Sequence, residues 1–126
     1  MIIGETKPWT PILADDAHPY VMEHWSFIDG AQTIEQMRIG FLVKMNADFT
    51  GVEPATAADD AELYGVIVRD PWFEEKSCTI AVHGAMALEH VHYADAVPGV
   101  EPPQLSPAAR LRLREIGIFL RKTIDP

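Results

Sequence analysis

Cysteine is almost missing from this chain. Cys78 is the only one in 126 residues, so no disulfide within the chain can staple the fold and no four-thiolate zinc site can form in one copy. Long apolar runs are missing too. No stretch approaches the roughly 18 to 20 residues needed to cross a bilayer as a helix, and the opening Met1-Ile2-Ile3-Gly4-Glu5 has neither the basic nor the apolar region of a secretory signal. The expectation is a protein made in the cytoplasm, with no membrane partner. Positive charge is scarce, and the formal net charge of −9 repels phosphate, which argues against a nucleic-acid partner. Catalytic signatures are also wanting: no Gly-x-Ser-x-Gly elbow, no phosphate-cradling glycine loop and no dinucleotide fingerprint occurs.

What is present suits one small packed domain. The length fits a single core, and 48% hydrophobic with 23% charged residues is ordinary for a globular chain. Residues 1–28 look different from the remainder, 29–126. Pro8, Pro11 and Pro19 punctuate them, Asp15-Asp16 interrupts them, and Trp9, Ile12, Leu13, Tyr20, Trp25 and Phe27 follow neither a helical nor a strand period. Proline removes backbone donors and biases its neighbours to extended shapes, so the segment reads as an extended arm. Aromatic surface on such an arm either meets a partner or folds back onto its own core.

Within 29–126 the pattern is mainly β. Met37, Ile39, Phe41, Val43 and Met45 alternate with Arg38, Gly40, Leu42 and Lys44, the period of a strand with one buried face. Asn46 to Gly51 carries turn chemistry, and a loop rich in Ala, Thr and Asp runs to Asp60. Leu63 to Arg69 reads as a strand stopped by Asp70-Pro71. Ser77 to His83 reads as another, with Cys78, Ile80 and Val82 on one face. Gly84 breaks or bulges it, and Met86, Leu88, His90 and His92 continue the alternation. A proline-rich loop spans Val97 to Pro103. One helix follows: Ser106 as N-cap, Pro107 at the first helical position and Gly117 as its close, with Ala109, Leu113 and Ile116 on the buried side and Leu111 off that stripe. Ile118 to Ile124 reads as a last strand.

Few groups point to chemistry. Two histidines at i, i+2 on a strand, His90 and His92, with Gly84 upstream, resemble the start of the first metal-binding motif of cupins. The glutamate that should follow falls on Ala96 or Val97, and no histidine occurs downstream. That pair stands as an alternative: a small cupin-like metal-binding protein or enzyme. Cys78 reads as a core residue. Asp59-Asp60 and Glu74-Glu75 read as solvated loop charges. Trp72-Phe73, after Asp70-Pro71, reads as an aromatic docking loop or a cap on the core. The charge is also unevenly spread: up to Ala109 the chain carries 5 basic and 17 acidic side chains, whereas Arg110, Arg112, Arg114, Arg121 and Lys122 face only Glu115 and Asp125 after it. A basic tail on an acidic body suits contacts between neighbouring copies, with Arg110 and Arg114 as candidate contacts.

The order of these elements from Met37 to Ile124 resembles the head decoration proteins of lambda-like tailed bacteriophages. The residues that carry the likeness are the strand Arg38 to Met45, Gly65-Val66-Ile67-Val68, Thr79 to Met86, the proline-rich loop, and the short helix that runs into Gly117-Ile118-Phe119-Leu120. The resemblance implies a small β-sandwich or β-barrel-like domain of the β-tulip type, with no catalysis and no cofactor. It also implies a homotrimer at the local three-fold sites of the expanded shell, on the virion's outer surface. The N-terminal arm becomes ordered there against the major capsid protein, and Trp9, Ile12, Tyr20 and Trp25 are its expected contacts. One departure stands out: the arm here is longer than usual for the family and carries two tryptophans.

Overall fold

A computed structural model describes residues 20–27, 37–69, 71, 76–97 and 99–122. Among the described residues the fold is mainly β with one α-helix. Six strands occur in chain order: β1 (Val21–Ser26), β2 (Leu42–Met45), β3 (Val52–Pro54), β4 (Leu63–Ile67), β5 (Ser77–Ala87) and β6 (Ile118–Arg121), with helix α1 (Pro107–Ile116) before the last. The sheet order is β1-β5-β4-β2-β3, antiparallel at every step, and β6 pairs with β5 in parallel. Phe27, directly after β1, bridges to Val52 in β3. The two ends of the strand order thus meet, which gives the sheet its barrel-like curl. A side chain on Gly51 would press on the Ser26 carbonyl at 2.7 Å, so glycine permits that closure.

Both faces of the central strands are buried, and consecutive residues divide between two cores. Leu42, Val66 and Ala81 belong to a core that α1 covers with Ala109 and Leu113, whereas Val43, Ile67 and Ile80 belong to one filled by Phe27, Met37, Phe41 and Ala94. This double burial explains why β4 and β5 read as near-continuous apolar runs.

The helix matches its sequence signals. The Ser106 hydroxyl accepts from the Ala109 amide, Pro107 opens the first turn, and Gly117 closes it at φ 108 with its N–H on the Leu113 and Arg114 carbonyls. Leu111 is exposed, while Ala109 and Leu113 are wholly buried.

Several sequence expectations are corrected. The nine-residue alternation from Met37 yields strand only from Leu42, because Gly40 turns the backbone at φ 93. The loop before Asp60 contains β3 and a 3-10 segment, Ala57–Glu62. Gly84 does not break β5: at φ 130 it lets one strand change partners, from β1 up to His83 to β6 from Gly84 onwards. The alternation does end at Ala87, since Leu88–His90 is a 3-10 turn.

Candidate functional site

The residues singled out as an arm divide in two. Trp9 and Ile12 lie outside the described residues. Tyr20 and Trp25 pack on the domain, because residues 21–26 of the segment expected as an arm form a strand at the edge of the sheet, whereas residues 1–19 lie outside the described residues. The edge forms because backbone pairing with β5, from Val21↔His83 to Ser26↔Ser77, needs no apolar period on β1. Tyr20 is the clamp at its start. Its ring sits over Gly84, where only a missing side chain leaves room, and its hydroxyl donates to the Ala85 carbonyl at 3.1 Å.

Trp25 is held from two directions. Its indole N–H and the Tyr64 hydroxyl both donate to Glu23 Oε1 at 2.7 Å, and the Trp25 and Tyr64 rings meet edge to face with centroids 6.3 Å apart. Burial, joined by the Glu23 carboxylate, pushes the Tyr64 phenol up to about 12. These rings form one wall of an open groove of about 750 Å³ shared with Met45, Phe49 and Arg112.

Phe49 was missed by sequence reasoning. It lies in the β2–β3 turn, is 71% exposed, and takes a left-handed φ of 58, a conformation that a bulky residue adopts only when its surroundings hold it there. Asn46 does the holding: its side-chain oxygen accepts from the Thr50 amide at 2.9 Å, its side-chain amide donates to the Thr50 hydroxyl, and its carbonyl accepts from the Phe49 amide. An available signal was a phenylalanine inside Asn-Ala-Asp-Phe-Thr-Gly, a place where turns favour small or polar residues.

The adjacent carboxylates Asp59 and Asp60 are corrected from solvated loop charges to two separate anchors. Lys44 Nζ donates to Asp59 at 2.8 Å across β2, and the Thr56 amide donates to the same carboxylate. Burial alone would raise the Asp59 pKa, but the Lys44 and Thr56 contacts outweigh it and the net direction is down. The hydrogen bond to Asp59 raises Lys44. A lowered carboxylate stabilises the fold above its ordinary value of 3.8 and loses that contribution as pH falls through the folded value. A raised lysine contributes below 10.5 and loses it on the alkaline side. The stability difference between wild type and Lys44→Met is therefore expected to be about 0.5 to 1 kcal/mol across neutral pH and to shrink as pH falls below 3.8 or rises above 10.5. Urea titrations across that range check it, and a difference that persists unchanged at the acid end contradicts it.

Asp60 has a different task. Its carboxylate accepts from the Tyr93 hydroxyl at 2.9 Å and the Ser106 hydroxyl at 2.6 Å, while the Ser106 amide donates to Tyr93 Oη at 3.1 Å. One carboxylate thus ties the start of α1 to the 3-10 segment Ala57–Glu62 and to Tyr93, just after the bridge at His92.

His90 and His92 do not share a strand face. His90 ends the 3-10 turn and is exposed, whereas His92 is half-buried with its backbone bridged to Gly40 and Leu42. Burial, then the nearby His90, lowers the His92 pKa. No cluster of three or more His, Cys, Asp or Glu suited to a metal occurs among the described residues. Burial alone pushes the Cys78 thiol up to about 12, as fits a core residue. Arg110 and Arg114 are exposed on α1 and line a second groove with Phe119 and Leu120. Trp72, Phe73, Glu74 and Glu75 lie outside the described residues. Among those described, no helix is long and apolar enough to span a membrane.

No protein-family model matches the chain, and no curated protein matches it.

Proposed function

We propose that this is a non-catalytic decoration protein of a tailed-bacteriophage head, a homotrimer on the outer surface of the virion whose N-terminal residues bind the major capsid protein. The observation that carries the reading is the clamp at Tyr20. The ring over Gly84 and the bond to Ala85 fix the point at which residues 1–19, with Trp9 and Ile12, join the sheet edge. An adhesive segment needs such a fixed root, because force and binding energy reach the domain through it.

The polar groups lend support. Glu23, Asp59, Asp60 and Ser106 all hold parts of the fold together. Tyr20 and Trp25 pack on the domain at the root of that segment, and with Trp9 and Ile12 they are the expected contacts with the capsid protein. Ordering a peptide costs roughly 1 to 2 kcal/mol per residue, so burial of those side chains must offset the cost. Strand addition to a capsid sheet edge supplies backbone hydrogen bonds as well, and linked copies add avidity.

Co-sedimentation tests this reading with expanded heads built from the major capsid protein of the same genome. The full chain is expected to bind saturably, and a Trp9→Ala/Ile12→Ala variant with an unchanged melting curve is expected to bind at least about tenfold more weakly. Equal binding by the variant, or none by the full chain, contradicts the proposal.

A further inference from the structure

We infer that copies of this chain associate head to tail, with Phe49 of one copy seated in the basic groove between α1 and β6 of the next. This deepens the decoration reading, which brings the expectation of a trimer but does not say which surfaces meet.

Two surfaces of opposite character carry the inference. One is the β2–β3 turn, which offers an exposed phenylalanine on a locked backbone. Its surroundings are acidic: Asp48 adjoins it in sequence, and Glu53 and Glu62 line the groove beneath. Of the two cations that line the same groove, Lys44 serves Asp59 at 2.8 Å and lies 4.0 Å from Glu62, and Arg112 donates to the Leu63 carbonyl. The other surface is a groove of about 490 Å³ with a floor that includes Phe119 and Leu120 and a rim that includes Arg110 and Arg114, with no acidic residue among the described residues that line it. An aromatic ring flanked by carboxylates meets there both an apolar floor and guanidinium groups able to lie over its face.

The helix keeps the two surfaces apart. At 3.6 residues per turn, Arg112 lies about 160° around α1 from both Arg110 and Arg114. Arg112 lines the Phe49 groove and the other two line the basic one. A contact between different patches on opposite flanks is heterologous, and it closes into a ring when the rotation permits.

The test is sedimentation velocity of the full chain in solution, without capsid, so that its failure is separate from failure to bind heads. The wild type is expected to self-associate, less so as salt rises. Phe49→Asn keeps a residue that tolerates the left-handed backbone, and Arg110→Glu/Arg114→Glu changes only exposed positions; circular dichroism checks that both fold. Each variant alone is expected to self-associate at least about tenfold more weakly. Mixed together they are expected to form a one-to-one dimer and nothing larger, since each retains the surface the other has lost. A monomeric wild type, a variant that assembles like the wild type, or a mixture that stays monomeric would each overturn the inference.

Discussion

Gly84→Ala is expected to lower folding stability by about 3 kcal/mol or more. A Cβ at position 84 would sit 2.3 Å from Tyr20 Cδ1 and 2.8 Å from Cε1, on a backbone with φ 130. The left-handed strain alone costs on the order of 1 to 3 kcal/mol, forcing atoms into a filled space about as much again, and losing the Tyr20 hydroxyl bond about 1. The ring cannot swing aside cheaply, because the bond to Ala85 fixes its far end. The damage also falls where β5 changes partners, so the Gly84 amide bond to the Gly117 carbonyl is threatened with it. Urea unfolding gives the value. Removing the ring in a Tyr20→Ala/Gly84→Ala double variant is expected to cost less than the two single losses added together. A midpoint within error of the wild type contradicts the account of the clamp.

Asp60→Ala is expected to cost about 3 kcal/mol. The carboxylate is the acceptor for two hydroxyls, Tyr93 and Ser106, and Tyr93 is only 3% exposed. Bonds to a charged acceptor contribute roughly 1.5 to 3 kcal/mol each, and a buried donor left without a partner keeps its desolvation penalty. Asp60→Asn retains an acceptor oxygen and is expected to lose about half as much. If the alanine variant unfolds at the wild-type urea concentration, the three-way tie contributes nothing and α1 is held by its apolar face alone.

Local signals in the sequence were trustworthy where the structure is local. Ser106, Pro107 and Gly117 mark the helix because caps act within one turn, whereas the strand expected to reach Arg69 ends at Ile67. Non-local features left no comparable trace. Strand β1 pairs with residues more than 50 positions away, and its apolar residues follow no period because one edge of a backbone is enough to pair. The parallel union of β5 with β6 depends on the φ of Gly84, which as a bare glycine reads equally well as a break or a bulge. Strand β3 is three residues long and ends in Pro54, tolerated because β3 has a single neighbour in the strand order. Alternation misled twice. From Met37 to Phe41 it reflects burial around a turn, and from Leu88 to His92 it crosses a 3-10 segment, so the two imidazoles never shared a face.

The candidate surfaces were legible only in part. The aromatic content of the first 28 residues left two readings open, a contact with a partner or packing on the domain's own core, and the sequence could not say that Tyr20 and Trp25 pack on the domain. The partners that hold them, Gly84, Ala85 and Tyr64, lie far along the chain. Phe49 was hidden for the opposite reason: its setting is wholly local, but turn propensity describes the backbone and not the side chain displayed on it.

The central claim is that this domain exists to reinforce a shell, and the thermal disruption of expanded heads tests it most directly. Heads that lack the protein and heads saturated with it would be heated in parallel and followed by release of their contents. The account predicts a disruption temperature several degrees higher with the protein bound. An identical temperature at full occupancy would contradict it.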